Sequence, residues 1–251
     1  MARISIENLS VEFAIYGSRA RSLKNAVIAQ ATGGRIMAGA RDVVAVRALD
    51  GITLELKDGD RIGLVGHNGS GKTTLLRVLA GIYKPASGRI TIEGRLGAIL
   101  DPAAGMDAEA TGIENIFLRG RLLGMRRGEI EAAIDDITDF TDLGDFLALP
   151  MKTYSAGMSA RLAFGISTAI QHDILLIDEG IGAGDASFQD KAQKRIEGLF
   201  ARTSIVLFAS HSETLIEQYC NRRLELEHGK VVRLESVEKR TVIETPAGMA
   251  F

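Results

Sequence analysis

One octapeptide, placed directly after a short apolar run, constrains the fold of this chain more than any other feature. The apolar run covers residues 62–65, and a helix is predicted from Thr73 to Ala80. Glycine allows backbone turns that point successive N–H groups at one anion, and a helix N-terminus adds partial positive charge there. A strand, this loop and a helix in succession predict a phosphate-binding loop. The octapeptide consists of Gly66, His67, Asn68, Gly69, Ser70, Gly71, Lys72 and Thr73, and Thr74 follows it.

The side chains at the end of this loop indicate which phosphate compound binds. In this pattern the lysine, Lys72, reaches the β- and γ-phosphates of a nucleoside triphosphate, and the hydroxyl of Thr73 ligates Mg²⁺. ATP and Mg²⁺ are therefore the expected ligands. The alternative is an ordinary glycine-rich turn in a chain that has 28 glycines, but the flanking strand and helix favour the phosphate loop.

Two acids follow a second apolar run, residues 174–177. An ionised side chain at the end of a buried strand needs a partner, and Mg²⁺ is the natural one for Asp178. Glu179 is then placed to polarise a water for attack on the γ-phosphate. The alternative is that both acids cap the next helix.

His211 follows a third apolar run, residues 204–209. Its imidazole can hydrogen-bond to a γ-phosphate and to the attacking water, which makes it a catalytic candidate together with Glu179. A single histidine at a strand end is more often structural, so the prediction depends on the two preceding motifs.

Strands alternate with helices along most of the chain, which predicts a parallel sheet with helices on both faces. Residues 1–13 alternate as a first strand, and residues 89–100 alternate as a further edge of sheet. Between residues 101 and 153 apolar positions recur at helical spacing, which predicts a helical insert. These positions include Ile130, Ile134, Ile137 and Phe140.

Composition excludes several classes of protein. Hydrophobic residues make up 46% and charged residues 25%, which is typical of a globular chain and of neither a coiled coil nor a disordered one. The net charge of -2 argues against a general nucleic-acid binder, and no nucleic-acid partner is expected. No apolar run approaches the roughly 18–20 residues that span a bilayer, so a membrane process would need a separate chain as its pore.

A pentapeptide upstream of the acid pair gives the chain a family resemblance. Residues 154–158, Tyr-Ser-Ala-Gly-Met, resemble the signature motif of ABC ATPases, although that family usually has Gly and Gln where Ala156 and Met158 stand. The resemblance implies a RecA-like P-loop α/β core with an antiparallel β-subdomain and a helical subdomain. It also implies a head-to-tail dimer, in which Ser155 and Gly157 of one subunit bind the γ-phosphate held by the other. If the family resemblance is set aside, the sequence around Ser155 predicts only a helix N-cap.

The same resemblance suggests further site residues. Asp185 corresponds to the D-loop aspartate that connects the two sites of the dimer. Asp101 stands where the family usually has a glutamine near Mg²⁺, which puts that contact in question. Adenine usually stacks on an aromatic side chain near the N-terminus, and Phe13 and Tyr16 are the candidates; core packing is an equal alternative for Phe13.

The segment Thr-Gly-Ile-Glu-Asn-Ile, residues 111–116, resembles the ABC ATPases that export bacterial surface polysaccharides such as O-antigen, capsule and teichoic acid. That group implies a separate transmembrane permease, indirect action on a lipid-linked polysaccharide and a location at the cytoplasmic face of the bacterial inner membrane. The groove near residues 106–116 is the predicted docking site for the permease. The alternatives are an ATPase of a drug or lipid exporter and, less favoured, a soluble ABC protein that acts on ribosomes or DNA.

These patterns predict an ATPase domain over residues 1–235 and a tail over 236–251, with no room for a C-terminal carbohydrate-binding domain. The helical subdomain is expected at about 101–160. A basic insertion is expected at about 14–45, either as a solvated surface helix or as an element that faces anionic lipid headgroups or the pyrophosphate of a lipid-linked glycan. Its basic residues are Arg19, Arg21, Lys24, Arg35 and Arg41.

Overall fold

The computed structural model describes residues 1–16, 36–38, 43–101, 103–178 and 186–237. Glu179, Asp185 and most of the predicted basic insertion and C-terminal tail lie outside the described residues, and so do the predictions made for them. The strand predicted at residues 1–13 is longer than expected and runs to Tyr16. It extends because residues 13–16 pair with residues 43–46, so the insertion has narrower boundaries than 14–45.

An antiparallel sheet forms from the first part of the chain, as the family resemblance implied. Its strands, in spatial order, are β2 (Ile36–Ala38), β3 (Val43–Lys57), β1 (Arg3–Tyr16) and β5 (Ser87–Glu93). Alternate residues of β1 such as Ile4 and Ile6 are buried, whereas the residues between them face outwards. This period of two is the pattern expected for a sheet with one face on the core.

The second sheet contains the phosphate-loop strand at an interior position. Its spatial order is β10 (Lys230–Ser236), β9 (Arg222–Glu227), β4 (Arg61–Val65), β8 (Ile205–Ala209), β7 (Ile174–Ile177) and β6 (Leu96–Ile99). All neighbours are parallel except β10 and β9. Strands β7 and β8 are buried along their whole length, as expected for a sheet covered on both faces.

The segment predicted as one sheet edge, residues 89–100, divides between the two sheets. Strand β5 ends at Glu93 in the antiparallel sheet, and β6 begins at Leu96 in the parallel sheet. Gly94 makes the crossing with φ +115°, and the carboxylate of Asp173 accepts the N–H of Arg95 at 2.7 Å. A periodicity of two is the same in both sheets, so the pattern alone did not reveal the change of sheet.

Helices cover the parallel sheet and form a separate unit. Helix α1 spans Lys72–Leu79, α5 spans Ala186–Arg202 and α6 spans Glu213–Tyr219. The helical subdomain contains α2 (Gly112–Leu122), α3 (Arg127–Thr141), two 3-10 turns (Gly144–Ala148 and Met151–Thr153) and α4 (Ala156–Thr168). Ile116, Ile130, Ile137 and Leu162 form its own apolar core. No helix of the described residues is both long and apolar enough to cross a bilayer.

Candidate nucleotide-binding site

The octapeptide forms a tight loop between β4 and α1, as predicted. Gly66, Gly69 and Gly71 have φ values of +142°, +78° and +116°, a region that side-chain-bearing residues rarely adopt. A Cβ atom on Gly71 would lie 2.9 Å from Leu49 Cδ2 and 3.1 Å from the carbonyl oxygen of Ala48. The loop therefore needs glycine at this position both for its backbone angle and for its packing on β3.

Lys72 lies within the curve of this loop. Its side-chain ammonium donates to the carbonyl oxygens of Gly66 at 2.7 Å and His67 at 3.3 Å, and the residue is only 8% exposed. Helix α1 has Gly71 at its N-cap and no side-chain cap, so no side chain occupies the N–H groups of its first turn. A cation and uncapped N–H groups meet here, as an anion site requires.

A cavity of about 410 Å³ lies against the loop. Strands β7 and β8 are parallel neighbours that place Ile177 beside Phe208, so the residues after them emerge at one edge of the sheet. Asp178 and His211 both reach the cavity from this edge. The sheet thus brings together three motifs that are far apart in sequence. The lining residues are Asn68, Gly69, Gly71, Lys72, Thr73, Thr74, Asp178 and His211.

The donor set fits a magnesium–nucleotide complex. Thr73 offers a hydroxyl and Asp178 a carboxylate, which are the oxygen ligands that Mg²⁺ accepts while it keeps several waters and substrate phosphates. Lys72 and the first turn of α1 supply positive charge for the phosphates. The cavity therefore contains complementary groups for both the cation and the anion.

A hairpin that the sequence analysis did not identify supports the loop from behind. The turn between β9 and β10 places Gly229 so that its N–H donates to the Ser70 carbonyl at 2.8 Å, while its carbonyl accepts from Asp50 at 2.9 Å. The ring of His228 lies 5.1 Å from that of His67. His228 and Gly229 both have positive φ, at +48° and +81°. The sequence signal was a His-Gly turn between two alternating segments, but nothing local indicated its contact with the loop.

The signature segment stands at the exposed start of helix α4. Ser155 is the N-cap, and its hydroxyl accepts the Met158 N–H at 3.2 Å. The N-cap interpretation therefore describes a real contact within the chain. Ser155 and Gly157 are both exposed, so this helix start is accessible to a second molecule, and their contact with a phosphate stays a prediction.

The adenine candidates have different outcomes. Phe13 is partly buried and packs against the core, with its ring 5.0 Å from that of Tyr83 in an edge-to-face contact. This matches the core-packing alternative, and Tyr83 was not among the sequence candidates. The side chain of Tyr16 lies outside the described part of the structure, so its stacking role stays a prediction.

Asp101 follows β6 at the same edge of the sheet as Asp178. The N–H of Asp178 donates to the carbonyl of Ile99 at 3.2 Å, which fixes the end of β6 beside the end of β7. The Asp101 carboxylate accepts the N–H of Ala103 at 3.1 Å. Its contact with Mg²⁺ stays a prediction.

Comparison with known proteins decides the family. Residues 49–182 match the family described as ABC transporter. The chain is also 46% identical to an O-antigen export system ATP-binding protein of Yersinia enterocolitica, over 92% of this chain and 97% of that relative. The chain belongs to the ABC transporter family. As a member it is an ATPase, and the phosphate loop and Asp178 lie within the matched residues.

Two further comparisons agree with this assignment. The chain is 39% identical to a teichoic acids export ATP-binding protein of Bacillus anthracis, over 73% of this chain and 33% of that longer relative. These relatives confirm the predicted resemblance to the polysaccharide-exporter group. A dimeric ATP-binding cassette in a post-hydrolysis state, bound to ADP and Pi, superposes with a TM-score of 0.68 at 18% identity, over 94% of this chain and 99% of that one. This likeness confirms the fold class.

Proposed function

We propose that this ATPase powers the export of a lipid-linked surface polysaccharide, similar to O-antigen, across the bacterial inner membrane. The observation that carries the ATPase part is the meeting of the phosphate loop, Asp178 and His211 around one cavity. The cargo is supported by the relative from Yersinia, which is matched along nearly its whole length. The protein acts at the cytoplasmic face, held there by a separate permease.

Each residue of the site has a separate task in hydrolysis. Lys72 and the N–H groups of the loop hold the β- and γ-phosphates, and Thr73 and Asp178 hold Mg²⁺. Glu179 orients and polarises the attacking water, and His211 hydrogen-bonds to the γ-phosphate and to that water. The bound Mg²⁺ supplies charge neutralisation for the transferring phosphoryl group. Positioning and preorganised charge therefore supply most of the catalysis.

A second copy of the chain completes each site. Ser155 and Gly157 of one protomer approach the γ-phosphate held by the phosphate loop of its partner, and Asp185 connects the two sites. The exposure of the start of α4 supports this arrangement. ATP favours the closed dimer because it contacts both protomers, and hydrolysis allows the dimer to reopen.

The permease docks on the helical subdomain, in the groove predicted near residues 106–116. An open depression of about 560 Å³ lies there. Phe117 and Leu118 provide apolar lining, and Asp107 and Glu114 supply negative charge. Glu109 also lines the depression and pairs with Lys152 at 2.6 Å. Leu118 is 45% exposed. A cytoplasmic permease segment with apolar and basic side chains matches this surface.

ATP hydrolysis by the purified chain, with and without its permease in proteoliposomes, tests the function. We expect the permease to stimulate hydrolysis and Glu179→Gln to abolish it, because an amide cannot act as general base. Nucleotide affinity should be unchanged in Glu179→Gln. Transport of a lipid-linked glycan into the vesicles, compared with a drug or a plain phospholipid, tests the cargo.

The outcomes separate the parts of the proposal. Full activity in Glu179→Gln would move the catalytic role to another residue, with His211 next in line. Stimulated hydrolysis with transport of a drug or phospholipid alone would contradict the polysaccharide assignment and leave the ATPase role intact.

A further inference from the structure

Arg119 is a buried cation in the helical subdomain. It lies on α2, is 3% exposed, and forms no ion pair with a carboxylate among the described residues. All its hydrogen bonds go to neutral oxygens. The Nε and Nη2 atoms donate to the Ser167 hydroxyl at 3.3 and 3.0 Å, Nη2 also donates to the Asp101 carbonyl at 3.2 Å, and Nη1 donates to the Ala104 carbonyl.

The acceptor on the helix side is itself fixed. Ser167 is 2% exposed, and its hydroxyl proton is donated to the carbonyl of Ala163 at 2.7 Å. Its lone pairs are therefore directed to the guanidinium. Three segments, α2, α4 and the loop after β6, meet at this one side chain.

Stability alone does not explain a cation at this place. Burial lowers the pKa of Arg119, and only the nearby charge of Asp101 opposes this effect. A buried charge carries a desolvation penalty, and apolar replacements of similar volume are often neutral or stabilising in such positions. Unlike an apolar side chain, a guanidinium offers a rigid fork of N–H donors, and this fork fixes the relative positions of the groups that accept from it.

The segments that Arg119 joins are the two that the proposed mechanism places next to bound nucleotide. The loop with Asp101 begins two residues after Ile99, whose carbonyl accepts the Asp178 N–H. Ser155, a residue of the signature segment, is the N-cap of helix α4. We propose that Arg119 is a positioning residue that ties the Asp101 loop to helix α4, so that a displacement of one moves the other. This proposal rests on the proposed ATPase mechanism.

Substitutions at Arg119 in the full chain test the proposal. Arg119→Met keeps most of the side-chain length and removes the donors, and Arg119→Lys keeps the charge and removes the fork. Arg121→Met is the matched control, because Arg121 is exposed on the same helix. The measurements are kcat and KM for ATP, affinity for a fluorescent ATP analogue, and hydrogen–deuterium exchange of peptides covering 103–110 and 156–168.

We expect Arg119→Met to lower kcat roughly tenfold while nucleotide affinity stays within about twofold, since coupling residues shift equilibria without touching the ligand. Exchange should rise in both peptides together, and Arg119→Lys should lie between wild type and Arg119→Met. Arg121→Met should behave as wild type. Equal behaviour of Arg119→Met and Arg121→Met would overturn the proposal, and so would a parallel fall of kcat, affinity and thermal stability.

Ser167→Ala provides a second route if Arg119→Met does not fold. It removes one acceptor and leaves the cation bound to the loop carbonyls, so exchange should rise in the peptide 156–168 and kcat should fall by a smaller factor. Unchanged exchange and kcat would contradict the proposal. If wild type itself hydrolyses no ATP even with the permease, the proposed function fails, and the exchange measurements still decide whether Arg119 joins the two segments.

Discussion

Gly71 controls the phosphate loop from a single backbone position. It closes the loop with φ +116° and stands at the N-cap of α1, where it leaves the first helical N–H groups without a side-chain cap. Its Cα hydrogens face β3 and the hairpin at Gly229, with no room for a methyl group. Gly71 therefore fixes both the direction of the N–H groups in the first turn of α1 and the packing of the loop on the antiparallel sheet.

Gly71→Ala should weaken nucleotide binding by at least an order of magnitude and lower the free energy of unfolding by more than about 1 kcal/mol, because alanine at positive φ is strained. Equilibrium titration with a fluorescent ATP analogue and urea unfolding measure the two effects. Gly128→Ala is the control, since Gly128 lies in the first turn of α3 with open space around it. Normal nucleotide affinity in Gly71→Ala would refute the assigned role of this backbone position.

The contact between helices α3 and α5 joins the helical subdomain to the core. Phe188 of α5 packs with Phe140 and Phe164, which come from α3 and α4. Next to this cluster Arg195 forms a forked ion pair with Asp136, in which Nη1 and Oδ1 are 2.6 Å apart. Hydrogen bonds from Arg195 hold the pKa of Asp136 below its ordinary value. The interface thus combines aromatic packing with the Arg195–Asp136 ion pair beside it.

The ion pair predicts a pH-dependent contribution to stability. A carboxyl whose folded-state pKa is lowered stabilises the fold above its unfolded pKa of about 3.9 and loses that contribution as pH falls through the folded value. Asp136→Asn should therefore cost up to about 1 kcal/mol at pH 7, since the Asp136 side chain is 52% exposed. The difference from wild type should shrink as pH falls below the unfolded pKa and vanish only below the lowered folded-state pKa. Urea unfolding over this pH range measures the difference in free energy of unfolding. Asp135→Asn is the control, because Asp135 is an exposed neighbour. A difference that persists at low pH would show that the loss of stability does not come from the ion pair.

Elements with a strong local pattern were predictable, and contacts between distant elements were not. The buried strands β7 and β8, the helix α4 with its Ser155 cap, and the phosphate loop all follow from runs of a few residues. The contact of Gly229 with Ser70 and the burial of Arg119 between α2 and α4 depend on tertiary packing. Local periodicity carries no information about such pairings, which is also why the division at Gly94 was missed.

Within the described residues, the sheets and the helical subdomain have separate apolar cores. Apolar side chains of both sheets share a single core that includes Ile4, Leu64 and Leu224, whereas the helical subdomain is built around its own core. The two sheets are further fixed by the crossing at Gly94. Movement driven by nucleotide should therefore occur between the helical subdomain and the sheets, at the contact of α5 with α3 and α4. The Asp101 loop and α4 should move together, because Arg119 joins them.

Mixed dimers test the composite site at this scale. Lys72→Ala damages the phosphate loop, and Ser155→Arg damages the signature surface, so neither variant alone should hydrolyse ATP. In a mixed dimer the intact Ser155 of one chain meets the intact Lys72 of its partner, which restores one of two sites. An equal mixture should therefore regain about a quarter of wild-type activity when chains pair at random in a two-fold dimer. A mixture as inactive as its components would contradict head-to-tail sites.

The position of β4 in the parallel sheet has a consequence for synthesis on the ribosome. Both neighbours of β4, strands β8 and β9, are synthesised long after it. The guanidinium of Arg61 in β4, for example, donates to the carbonyl of Thr203, which lies 142 residues later in the chain. At translation rates of roughly 5–20 residues per second, the wait lasts on the order of ten seconds. The last strand of the antiparallel sheet ends at Glu93, so this sheet can form while β4 is still unpaired. The phosphate loop is thus translated in the first third of the chain and becomes competent for its ligand only when translation is nearly finished.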